Sequence, residues 1–184
     1  MIRQIMVVLA FLTASATAGA ATISSSVVNS NVLLGDVFNL EVIGTDFPTT
    51  QGGGFTLGFD AGVLQANSVS IDGVVWDFVN DLGTVDNGSG SVSDVLVSAF
   101  PGVISGNFTV ATIVFEAIGL GPSGIALSAS AGNLWANDGS LINPVFDSSA
   151  LVTVTEVPLP AGIWLFASAL LALFGVGPKL FGQR

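Results

Sequence analysis

Phe38-Asn39-Leu40-Glu41-Val42 alternates apolar and polar side chains. An extended chain points successive side chains to opposite faces, so this alternation marks a strand with one buried face. The pattern returns at Phe55-Thr56-Leu57-Gly58-Phe59-Asp60, behind a loop-forming Gln51-Gly52-Gly53-Gly54. Outward from these, Thr22–Val28 is rich in Thr, Ser and Val, and Asn29–Asp36 reads as a turn-bearing link. Val63–Ile71 and Val74–Val79 read as strands parted by the turn Asp72-Gly73. Asp86-Asn87-Gly88-Ser89-Gly90 is a loop signal, with strand Val92–Ala99 behind it. Thr109–Ala117 is apolar on both faces, as suits a central strand. Ile125–Ser130, a shorter piece near Leu141–Val145, and Ala150–Val157 complete the set. No helical period of useful length interrupts them. Roughly nine short strands at about ten-residue spacing predict an all-β, antiparallel β-sandwich.

The two ends of the chain are written in another style. Met1-Ile2-Arg3-Gln4 carries one positive charge, Ile5–Leu12 is apolar, and Thr13–Ala20 is small and polar. Ala18-Gly19-Ala20 has the small-x-small spacing of a signal peptidase site, so 1–20 reads as a signal peptide cut before Ala21. At the other end, Ala161–Gly177 is an apolar run of 17 residues without a charge, followed by a tail, 178–184, whose ionisable side chains are Lys179 and Arg184. Such a run is about the shortest helix that crosses a bilayer core of roughly 30 Å. The basic tail would keep its end cytoplasmic and put the body outside. Two prolines two residues apart cannot both sit inside a helix, so Val157–Pro160 should be extended and exposed.

The order of these parts carries a resemblance. Val157-Pro158-Leu159-Pro160-Ala161, the apolar run and the basic tail together resemble the PEP-CTERM class of C-terminal signals in its VPLPA variant. One departure is the tail, where Leu180 and Phe181 stand between only two basic residues. That family implies processing by an exosortase, a membrane protease of Gram-negative bacteria that make extracellular polysaccharide. The precursor would be held in the inner membrane by 161–177 and then delivered to the cell surface or the extracellular matrix.

Charge narrows the functions open to the body. All thirteen acids and none of the three basic residues fall between Ala21 and Val157, so this 137-residue segment carries a net charge of −13. It can form no side-chain salt bridge, and it repels phosphate backbones, which excludes nucleic-acid binding. Cysteine, histidine and tyrosine are absent. There is no Ser-His-Asp or Cys-His relay, no Schiff-base lysine and no ordinary zinc ligand set.

A second resemblance covers most of 21–156. Val32–Leu40 with Gly54-Phe55-Thr56-Leu57-Gly58-Phe59-Asp60-Ala61-Gly62-Val63-Leu64 is similar to the opening of a cohesin domain, and Thr109–Ala117 and Ala150–Val154 are similar to its later strands. The resemblance implies a nine-stranded jelly-roll sandwich, a fold shared with carbohydrate-binding modules. Cohesins proper bind dockerin domains, and fold by itself does not carry function.

Three chemistries remain to be weighed. Glu41 and Glu116, with Asp60 as a third choice, are the carboxylates available for glycoside hydrolysis. The plain alternative puts them on the solvent face of alternating strands, and no catalytic residue is assigned. Asp72, Asp77, Asp81, Asp86 and Asp94 crowd one quarter of the body and suit calcium, although the EF-hand series and its closing Glu are missing. They read more readily as turn aspartates that satisfy local backbone N–H groups. Trp135, between Asn133 and Asn137, suits stacking on a sugar ring, whereas Trp76 reads as core. Asn87-Gly88-Ser89 and Asn107-Phe108-Thr109 match the glycosylation sequon. The reading as a whole is an exported, non-enzymatic adhesion or structural module that binds exopolysaccharide or another surface protein. The alternative is a glycan-binding or, behind it, glycan-processing accessory of polysaccharide export.

Overall fold

The structure is a computed structural model that describes residues 19–158 and 161–175. Its strands, in chain order, are β1 (Thr22–Ser25), β2 (Asn29–Leu33), β3 (Val37–Thr50), β4 (Gly52–Gly58), β5 (Leu64–Ser70), β6 (Thr84–Asp86) and β7 (Ser91–Ser98). There follow β8 (Ile104–Ala117), β9 (Gly121–Ala129), β10 (Ala136–Asn137), β11 (Ser140–Leu141), β12 (Val145–Phe146) and β13 (Ala150–Thr155), then one helix, α1 (Ala161–Gly175).

One sheet runs β12-β1-β3-β8-β5. The other runs β11-β10-β4-β9-β13-β2, with β7 added to β4 and β6 to β7. Facing residues close the core: Leu40, Val42, Ile113 and Phe115 from the first sheet meet Phe55, Leu57, Val95 and Val152 from the second, all buried. Two sheets that each bury one face and lie against each other form a β-sandwich. Most pairings are antiparallel, as expected, but β1 with β12 and β2 with β13 are parallel.

The alternation at Phe38–Val42 is part of β3, where Leu40, Val42 and Gly44 point inward. At Asp46 the backbone adopts φ 55° and the pairing with β8 shifts register between Gly44 and Phe47. The inserted residue reverses the inward phase, so Phe47 is buried instead of Asp46. Asp94, at φ 58°, does the same in β7 between Val92 and Val95. Asp and Asn tolerate this left-handed conformation better than other side chains.

Several sequence expectations need correction. Val74–Val79 is not a strand. Asp72 caps a turn there, accepting the Val74 N–H at 2.9 Å, and the segment is held by burial of Trp76 while Val74 faces solvent. Of Thr22–Val28 only Thr22–Ser25 is a strand, β1 of the first sheet, and the expected link Asn29–Asp36 contains β2 of the second. Gly52–Gly54 belongs to β4 rather than to a loop. Thr109–Ala117 lies in β8, between β3 and β5, but buries only one face; Thr112, Val114 and Glu116 are half-exposed.

At the C-terminal end, Val157 and Pro158 are exposed and outside regular structure, while Leu159 and Pro160 lie outside the described residues. Of the spanning helix expected over 161–177, the described part is α1, 15 residues, which is about 22 Å at roughly 1.5 Å per residue. Among the described residues no helix is long and apolar enough to cross a membrane. Its side chains Trp164, Leu165, Phe166 and Leu171 stand exposed. Lys179 and Arg184, and Ala18 of the peptidase site, lie outside the described residues, whereas Ala20 and Ala21 lead directly into β1.

Candidate functional site

The carboxylates do not assemble a catalytic pair. The β3–β8 register sets Glu41 opposite Thr112 and Glu116 opposite Val37. The two glutamates are therefore four residues apart along the ladder, about 14 Å at roughly 3.4 Å per residue. Two-carboxylate hydrolysis needs about 5–9.5 Å. Glu116 accepts from the Asn67 amide at 3.2 Å on the outer face, and Asp60 caps a turn by accepting the Gly62 N–H at 2.8 Å.

The five aspartates of the calcium expectation are not gathered into one cluster. No group of three or more Asp or Glu side chains that could hold a metal ion occurs among the described residues. Three of the five aspartates are occupied locally: Asp72 with Val74, Asp81 with the Gly83 N–H at 2.9 Å, and Asp86 with Gly88 and Ser89. Asp94 forms the bulge in β7 and accepts the Ser130 hydroxyl at 2.7 Å. Asp77 stands exposed beside the buried Trp76. Asp86 has its acidity strengthened, its carboxyl held below the usual value by the Ser89 hydroxyl and then by the Ser89 and Gly88 N–H groups.

Trp135 is not a sugar platform. It is 2% exposed, and its indole N–H donates to the Gly54 carbonyl at 3.1 Å. Trp76 is fully buried, as expected, with its N–H on the Thr109 carbonyl at 3.0 Å. The two indoles form one cluster with Phe47 and Phe108, ring centroids 4.8 to 6.1 Å apart. Asn133 donates to the Asp94 carbonyl at 3.3 Å, tying its loop to β7. Asn137, in β10, is half-buried, and its carbonyl oxygen has no partner.

What the structure does expose is a different aromatic pair. Phe78, 56% exposed, and Phe100, 48% exposed, have ring centroids 5.4 Å apart. Leu134, 54% exposed, joins them at an open cleft of about 320 Å³ floored by Leu96, Ser98 and Gln51. The scaffold beneath is firm. Phe78 N–H donates to the Ser98 carbonyl, the Ala99 N–H to the Gln51 carbonyl, and Asn80 bridges Trp76 to Ser98. Asp77 and Asp81 bracket Phe78 along the chain, and Asp138 is tied to Gln51 of the cleft floor by a reciprocal pair of bonds, each 3.0 Å. Apolar side chains cost free energy when left in water, so an ordered exposed cluster of this kind is a candidate interaction surface. Sequence reading missed it because Phe78 sat inside a run taken for a strand and Phe100 beside a turn proline.

No protein-family model matches the chain, and no curated protein matches it. Solved structures do. A non-cellulosomal cohesin from the archaeon Archaeoglobus fulgidus superposes with a TM-score of 0.58 at 13% identity, covering 80% of this chain and 98% of that one. A cohesin from Clostridium acetobutylicum, CaCohA2, gives 0.54 at 17% identity over 74% and 92%. A chain of a type I cohesin–dockerin complex from Clostridium thermocellum gives 0.57 at 18% identity over 76% and 100%. The fold is therefore that of cohesins, as the sequence resemblance implied.

Proposed function

We propose that this chain is an exported, non-enzymatic protein-binding module that works at the cell surface or in the extracellular matrix. The observation that carries this reading is the exposed Phe78–Phe100 pair and its cleft, on a body without a single cationic side chain. A surface of that kind suits a partner protein with an apolar anchor and positive charge around it. The solved cohesin–dockerin complexes with this fold favour a protein ligand, and the burial of Trp135 counts against a sugar ligand. The ends of the chain add the itinerary. A signal peptidase would remove 1–20, and an exosortase-type protease would read Val157-Pro158-Leu159-Pro160-Ala161 and release the body from 161–177.

The test uses the exported protein from its surface fraction. Cross-linking to neighbouring surface proteins should be lost in the Phe78→Ser/Phe100→Ser double variant, with the melting temperature unchanged. Complexes should also weaken at about 0.5 M salt, where charge attraction is screened within a few ångström. Equal cross-linking by the variant, or retention by the host's exopolysaccharide alone, would overturn the binding reading. The intact mass of the same sample tests the itinerary, since a chain ending at Arg184 excludes exosortase release.

A further inference from the structure

The prospective cleavage point lies against a specific carboxylate. The β1–β3 ladder pairs Ile23 with Gly44 and Thr22 with Thr45, so Ala21 comes next, opposite Asp46. Gly19, Ala20 and Ala21 share an open cleft of about 470 Å³ with Asp46. Gly19, which cleavage would remove with the rest of 1–20, lies against that side chain: a Cβ on it would stand 2.9 Å from Asp46 Oδ2. Ala21 itself is pinned, its carbonyl accepting the Val145 N–H at 2.8 Å.

We propose that removal of the signal peptide builds an ion pair, in which the new α-ammonium of Ala21 takes the place of Gly19 and Ala20 beside the Asp46 carboxylate. This rests on the exported reading above, in which the peptidase cuts before Ala21. Hydrolysis of the Ala20–Ala21 bond leaves the carboxylate on the released segment, and the protonated α-amine of Ala21 becomes the one cation in a segment whose Lys and Arg count is zero, so no basic side chain of the body competes for Asp46. The rest of the cleft, Phe47, Pro48, Ile142 and Asn143, carries no charge. On the other side of β1, β12 contributes only Val145 and Phe146, and Asp147 lies further along, its N–H on the Ile23 carbonyl at 2.8 Å. Asp46 is already poised: its own N–H is bound by Asn107 at 3.1 Å, and its φ of 55° fixes where the carboxylate projects. The pair staples the first strand to the bulge that turns Phe47 inward, and it exists only after processing. Unprocessed chain lacks it. An ammonium stabilised in the folded state supports that state at neutral pH, and the support is lost as pH rises through its raised pKa.

The absence of other amines makes the test direct. The exported protein is reductively methylated with ¹³C-formaldehyde, and its dimethylamine resonance is followed against pH by NMR. Between Ala21 and Val157 only the α-amine reacts, and Lys179, if retained, titrates separately near 10.4. The expected α-amine midpoint lies above the ordinary range of roughly 7.7–8.0, and Asp46→Asn lowers it by about one unit. Asn is also comfortable at positive φ, so that variant keeps the bulge. Equal midpoints in wild type and Asp46→Asn, in a protein whose sequenced N-terminus is Ala21, would overturn the ion pair and leave the export reading standing. An N-terminus elsewhere would overturn both.

Discussion

Trp135 lies directly on Gly53: a Cβ at Gly53 would stand 2.3 Å from the indole Cδ2 and 2.7 Å from the Trp135 Cα. The glycine in β4 is thus the floor of the aromatic cluster. Because a main-chain atom is among the close contacts, rotamer changes cannot relieve the overlap. Gly53→Ala should cost about 2–3 kcal/mol, lowering the melting temperature by about 10 °C. Thermal unfolding followed by near-UV circular dichroism checks this, and a shift under about 2 °C would contradict the packing described.

Trp135→Ala should act through the core, not through a ligand. Truncating a buried aromatic of this size costs about 3–5 kcal/mol. Asn133→Ala, at the neighbouring half-exposed position, removes a single hydrogen bond worth about 1 kcal/mol. Chemical denaturation of the two variants side by side measures the difference.

Glu41→Gln and Glu116→Gln should be silent in stability, within about 0.5 kcal/mol, because both side chains stand on the outer face of the first sheet. Neither should alter turnover of any soluble glycan, since none is expected from the parent. Turnover by the parent that disappears in either variant would show that the separation along the β3–β8 ladder misrepresents the working site.

Salt should stabilise the body, and calcium should do so no more than salt. A charge of −13 repels itself, and any cation screens it. Melting temperature should rise with sodium chloride, and millimolar calcium at matched ionic strength should add nothing further. A specific calcium increment would mean that the separate turn aspartates converge in solution.

Asp86 should titrate below the ordinary aspartate value. Its lowered pKa means that its contribution to stability is present above the ordinary value of 3.8 and is lost as pH falls through the depressed folded value. The group is fully exposed, so the observable is the titration itself. Carboxyl ¹³C shifts should show the Asp86 midpoint moving up in Ser89→Ala, which removes the 2.8 Å hydroxyl bond.

Much of the architecture is legible in the strand pattern. The runs around Leu40, Leu57, Val95, Ile113 and Val152 alternate or cluster as buried strands must, and each supplies core residues. The phase reversals at Asp46 and Asp94 are not visible locally, because an inserted residue at positive φ looks like any polar residue in a strand. The interaction surface was hidden for a related reason. Phe78 and Phe100 are 22 positions apart in the chain and become neighbours only when the 71–83 segment lies beside β7.

Period and composition alone therefore settled the class of fold and the lack of Lys, Arg, His and Cys side chains between Ala21 and Val157, since each follows from which side chains exist and how they alternate. Tertiary packing decided which of two tryptophan readings was true, which carboxylates stand together and which aromatics face water. The physical reason is that burial belongs to pairs of distant residues: a polar-looking neighbourhood takes Trp135 inside because Gly53, far away in the chain, has no side chain to keep it out.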